Sequence, residues 1–139
     1  MNKLLVLLAL LPISALAAPS GHMICKTQSN GKSVQVIYGT YAYTGEFELK
    51  INGKTTELSG DDVVVLRDEA ALNGHGSADQ AEIYTAKNEH GDYVQVTEIY
   101  GKGGKSTNLL TVGTDKVAFL NKPVSCGVLD YQDGQEQRP

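Results

Sequence analysis

Few residue groups in this chain have the types and spacing to do chemistry. The segment Gly101-Lys102-Gly103-Gly104-Lys105-Ser106-Thr107 carries the glycines, lysine and hydroxyls of a phosphate-cradling loop. That loop needs a Gly five residues before its Gly-Lys pair, so that a full turn of backbone N–H groups wraps the phosphates. Ile99 stands at that position, and Asn108-Leu109-Leu110-Thr111-Val112 beyond it reads as a strand rather than the required helix. The segment is a lysine-bearing hairpin turn.

Histidine offers general acid–base or metal chemistry. His75 lies with Ser77 and Asp79 in Gly74-His75-Gly76-Ser77-Ala78-Asp79, and His90 lies in Asn88-Glu89-His90-Gly91-Asp92. A nucleophile arrangement of Ser77, His75 and an Asp lacks the strand–turn–helix elbow that would expose the hydroxyl. The two His flank the Ile83 segment at opposite ends, which makes a shared metal site awkward. No metal or cofactor is expected. Catalysis by these loop residues is the alternative to the preferred reading, in which they contact a partner.

Carboxylates recur as Glu46 with Glu48, Asp61 with Asp62, and Asp68 with Glu69. Glycoside hydrolysis needs two carboxyls across a cleft, one of them in an apolar setting that raises its pKa. Glu46 and Glu48 share the outward face of one strand, and Asp61 and Asp62 sit in a turn. They read as solvated charges that keep exposed strands from aggregating. Tyr41 and Tyr43, in Gly39-Thr40-Tyr41-Ala42-Tyr43-Thr44-Gly45, would share one face of an extended segment. Tyr suits places where one end of a ring is dry and the other wet. The pair is expected either to form a recognition patch or to cover the open end of a barrel.

The elements that must position these residues have a period of two. Residues 33–38 place Val34, Val36 and Tyr38 on one face; residues 46–51 place Phe47, Leu49 and Ile51 inward with charges between them. Asn52-Gly53 supplies the positive φ angles of a two-residue hairpin, so residues 54–58 return antiparallel. Strands are also expected over 23–27, 63–67, 93–100, 106–112 and 116–121. Ser77-Ala78-Asp79-Gln80 has the form of a capping box, which permits a helix over 78–88. Ile83-Tyr84-Thr85 favours a strand there, and the strand is preferred. The expected fold is all-β: a small antiparallel barrel or sandwich of short strands with hairpin connections.

The whole chain has 139 residues, 41% of them apolar and 20% charged, with a formal net charge of -4. One domain fits this length, and wholesale disorder does not fit this composition. The acidic balance, without a Lys/Arg-rich run, argues against nucleic acid as a partner. Lys3, the apolar run over 4–11 and Ala15-Leu16-Ala17 read as a signal peptide over 1–17. Residues 18–130 then form the single β domain, and 131–139 a flexible polar tail. No segment is apolar enough to embed the chain in a membrane.

Export gives Cys25 and Cys126 their role. They are the only two cysteines, and in an oxidising compartment they should form one disulfide. A bridge closing about 100 residues stabilises by roughly 4–5 kcal/mol in the chain-entropy treatment. In size, compartment and architecture the chain is similar to the small periplasmic inhibitors of lysozyme, although their inhibitory loop has no copy here. The function expected is a non-catalytic binding protein, periplasmic or secreted, with an inhibitor that presents a loop as one form of it. Its partner would be a protein or a small envelope ligand. The binding residues expected are His75, Ser77, Asp79, Tyr41 and Tyr43.

Overall fold

Short turns with left-handed backbone set the register at one end of the molecule. Asn52 and Gly53 have φ of 49° and 80°, as a two-residue hairpin turn requires. They close β3 (Glu46–Ile51) onto β4 (Lys54–Gly60), and Ile51 pairs with Lys54. The same Asn-Gly chemistry at Asn30 and Gly31 closes β1 (His22–Ser29) onto β2 (Lys32–Gly39). The computed structural model describes residues 21–67, 80–101, 106–130 and 135–137.

The remaining strands are β5 (Val64–Arg67), β6 (Gln80–Lys87), β7 (Tyr93–Tyr100), β8 (Ser106–Gly113), β9 (Ala118–Asp130) and β10 (Gln135–Gln137). Eight strands run antiparallel in the order β1-β2-β3-β4-β6-β7-β8-β9, and β9 returns to pair with β1. The barrel is closed. Between its alternatives, the sequence left barrel and sandwich open; the β1–β9 pairing decides for the barrel. The segment that could have been a helix is β6, as its β-branched and aromatic residues favour.

Two features depart from the local reading. β4 touches β6 only at Ser59–Lys87 and Gly60–Ala86. After the bend at residues 61–63, β5 continues along β6 from Val64–Ile83 to Arg67–Gln80. One stretch of chain therefore serves two neighbours in turn. The last barrel strand is also longer than the expected 116–121, running through Pro123 to Asp130. A bulge near Asn121 lets it do so: Asn121 has φ of 47°, and its N–H donates to Thr111 Oγ1 at 2.9 Å. Within the segment read as a tail, residues 135–137 pair with β9.

The barrel is filled from alternate strand positions. Val34, Val36, Leu49, Ala86, Val94, Val96, Leu110, Val112 and Val117 are buried in one cluster. Cys25 and Cys126 belong to the same cluster and are directly paired across β1 and β9, with their disulfide formed. The bridge closes the seam where the first strand meets the last long one. Among the described residues, no helix is long and apolar enough to cross a membrane.

Candidate functional site

At the end opposite the Asn-Gly turns, the barrel interior changes character. The inward positions of β6 and β7 run Ala86, Tyr84, Glu82 and Val94, Val96, Glu98, Tyr100 toward that end. The register places Glu82 directly opposite Glu98, and Gln80 opposite Tyr100. Above the apolar filling, this end opens into a cavity of about 550 Å³. Its lining includes Met23, Val63 and Val128 as apolar walls, Tyr41 and Tyr100 toward solvent, and Glu82, Tyr84 and Glu98.

Aromatic rings form the floor. Tyr38 is fully buried, with its ring 5.0 Å from that of Tyr84 and 6.0 Å from that of Phe47. Tyr38 Oη donates to Glu98 Oε1 at 2.5 Å, and Tyr100 Oη donates to Glu98 Oε2 at 2.5 Å. Glu98 itself is only 6% exposed. Tyr84 Oη donates to Glu82 Oε2 at 2.9 Å, and Gln80 Nε2 donates to Glu82 Oε1 at 3.3 Å. Burial first, then the nearby Glu98 charge and hydrogen bond, pushes the Tyr38 phenol well above its ordinary range. Tyr84 and Tyr100 are pushed up as well, again chiefly by burial and then by the neighbouring carboxylates. All three phenols are held as neutral donors.

The connection between β2 and β3 forms the rim. The expectation of an extended segment with Tyr41 and Tyr43 on one face is corrected here. Residues Tyr41–Tyr43 form a single 3-10 turn, which aims the two rings differently. Tyr41 is 89% exposed and lines the cavity, whereas Tyr43 packs its ring 4.6 Å from the His22 imidazole. The turn folds tightly over Gly39, where an added Cβ would meet Tyr43 O at 1.8 Å. Only glycine fits there. Thr40 ties the turn down, its N–H and hydroxyl both donating to Gly21 O. Tyr41 itself has φ of 56°, a left-handed conformation that costs a β-substituted residue roughly 1–2 kcal/mol.

The other expected residues fall elsewhere. His75, Ser77 and Asp79 lie outside the described residues, as do Lys102 to Lys105 of the phosphate-loop lookalike; β8 does follow that segment as a strand. His90 sits in the β6–β7 loop at the turn end, where its N–H donates to Asn88 Oδ1. Glu46 does not stand alone in solvent, since it meets His22 Nε2 at 2.5 Å. Among the described residues, no group of three or more His, Cys, Asp or Glu could hold a metal ion.

Glu82 and Glu98 were missed in the sequence, although a signal for them was present. Once residues 88–92 are read as the loop joining Lys87 to Tyr93, the pairing of Glu82 with Glu98 follows by counting back. Glu98 also interrupts the apolar phase of Val94 and Val96, where a solvated charge would not be placed. Comparison of the chain with protein-family models, with curated proteins and with solved structures finds no match.

Proposed function

We infer that this is an exported, non-catalytic binding protein that takes a small ligand into the mouth of its barrel. The observation that carries this reading is the cavity of about 550 Å³ at one barrel end, a size and lining typical of small-ligand sites. Apolar walls from Met23, Val63 and Val128 would take up the body of the ligand, and the Glu82, Tyr84, Glu98 and Tyr100 groups would orient it. A left-handed Tyr41 on the rim supports the reading, because strain of this kind collects at ligand clamps. Both Glu98 oxygens already accept a phenol hydrogen, which favours holding over proton transfer. Export is supported by the signal-like residues 1–17 and by the Cys25–Cys126 disulfide.

The test is a melting experiment on the mature protein with small neutral, anionic and cationic organic compounds. A ligand that binds only the folded barrel raises Tm with the logarithm of one plus its concentration over Kd. At least one class should do so, and Val128→Trp, which puts an indole into the cavity wall, should reduce the shift. If no class shifts Tm, or if Val128→Trp leaves the shift intact, the mouth is not the binding site.

A further inference from the structure

We propose that the mouth cavity selects an organic ammonium ion, a small amine with an apolar or aromatic body. This rests on the binding reading above and adds the ligand's charge to it. The cavity makes the site; the two carboxylates decide what it takes.

Glu82 and Glu98 are directly opposite on adjacent strands, an arrangement that is destabilising for like charges. Three tyrosine hydroxyls and the Gln80 amide donate to them without bringing any positive charge. Among the described side chains no lysine or arginine lines the cavity; His22, which does line it, meets Glu46, and Lys50 pairs with Glu48 away from it. Among the described residues neither Glu98 nor Glu82 is in an ion pair, and a buried carboxylate charge is costly without a partner. A cation entering the mouth would supply that partner. The same two carboxylates disfavour an anion.

The lining then separates organic cations from metal ions. Calcium or magnesium would ask for six or more oxygen ligands, and the walls here are largely Met23, Val63, Val128 and tyrosine side chains. Those rings attract a cation through their quadrupole when it sits over the face. Tyr84, Tyr100 and the rim Tyr41 all line the one opening. An ammonium head between the carboxylates, with its carbon body against the apolar wall, matches both halves of the lining.

The experiment is calorimetric titration of the mature protein with three compounds of one shape: 2-phenylethylamine, 2-phenylethanol and 3-phenylpropionate, and separately with calcium chloride. The amine should bind at least about tenfold tighter than the alcohol, a difference of about 1.4 kcal/mol, and the carboxylate should bind weakest. Glu82→Gln should remove most of that preference and weaken the alcohol far less. Glu98→Gln should do the same, and the half-exposed Glu82 variant decides the matter if the Glu98 variant does not fold. Alcohol binding equal to amine binding would overturn the ammonium proposal and leave the binding reading standing. Failure of all three organic compounds would overturn both. Calcium that binds and displaces the amine would turn the site into a metal site and overturn the proposal.

Discussion

The two ends of the barrel are built on opposite terms. At the turn end, hairpins close with local chemistry: Asn-Gly pairs, an Asn88 side chain that accepts from His90 and Asp92 N–H, and a Thr114 hydroxyl that caps residues 116 and 117. The interior beneath them is close-packed and apolar, with Val34, Leu110 and Val112 almost fully buried. At the mouth, the same strands carry tyrosines and carboxylates inward, and the β2–β3 connection places a strained aromatic over the opening. One end is finished by packing. The other is finished by hydrogen bonds around two carboxylates that, among the described residues, form no ion pair.

The contrast can be broken most forcefully at the seam both ends share. Replacing Cys25 and Cys126 by Ala removes a loop constraint of 101 residues, and chemical denaturation should show a loss of about 4–5 kcal/mol. Leu49→Ala, at a position 1% exposed in the apolar half, should cost roughly 2–5 kcal/mol by leaving a cavity. Its effect on ligand selectivity should be small, because Leu49 does not line the mouth. If it altered selectivity as strongly as stability, the two ends would not be separable.

Tyr38→Phe sits on the boundary between them. It keeps the ring and deletes one donor to buried Glu98, so denaturation should show a cost of roughly 1–3 kcal/mol. The alkaline limb of stability probes the same layer. Tyr38 ionises above its ordinary pKa of 10 in the folded barrel, so the unfolded chain loses its proton first as pH rises. The stabilisation is complete below pH 10 and falls by about 1.4 kcal/mol per pH unit above it, for each phenol still held neutral. Absorption titration should therefore show a tyrosine fraction that ionises late, together with unfolding. Ionisation of all seven tyrosines at ordinary pKa would contradict the sealed floor. The smallest effect on stability belongs to the rim: Tyr41→Gly should change it by no more than about 1 kcal/mol, in the stabilising direction, because glycine accepts a positive φ. Ligand affinity should nevertheless fall.

What could be read beforehand follows the range of the interaction involved. The hairpin at Asn52-Gly53 was legible because its turn chemistry and the alternation of Phe47, Leu49 and Ile51 lie within a few residues. β6 was separable from a helix, narrowly, through Ile83, Tyr84 and Thr85. The closure of β9 on β1 is set by pairing across almost the whole chain, so no local pattern announces it. The passage of β9 through Pro123 was hidden because that residue normally argues against a strand, and the bulge that accommodates it depends on Thr111. For the site, Tyr41 was found by type and mistaken in conformation. Glu82 and Glu98 were overlooked because carboxylates were sought as sequence neighbours, whereas the hairpin makes them neighbours across strands.

The Cys25–Cys126 pairing has a meaning beyond cohesion. Both sulfurs point inward from residues directly opposite each other, and side chains on a strand alternate faces with every residue. A slip of one position between β1 and β9 would turn one sulfur outward and leave the other in the core. Within a closed barrel, only the correct alignment sets the two sulfurs face to face in the core. Once formed there, the bond holds β1 and β9 to that register.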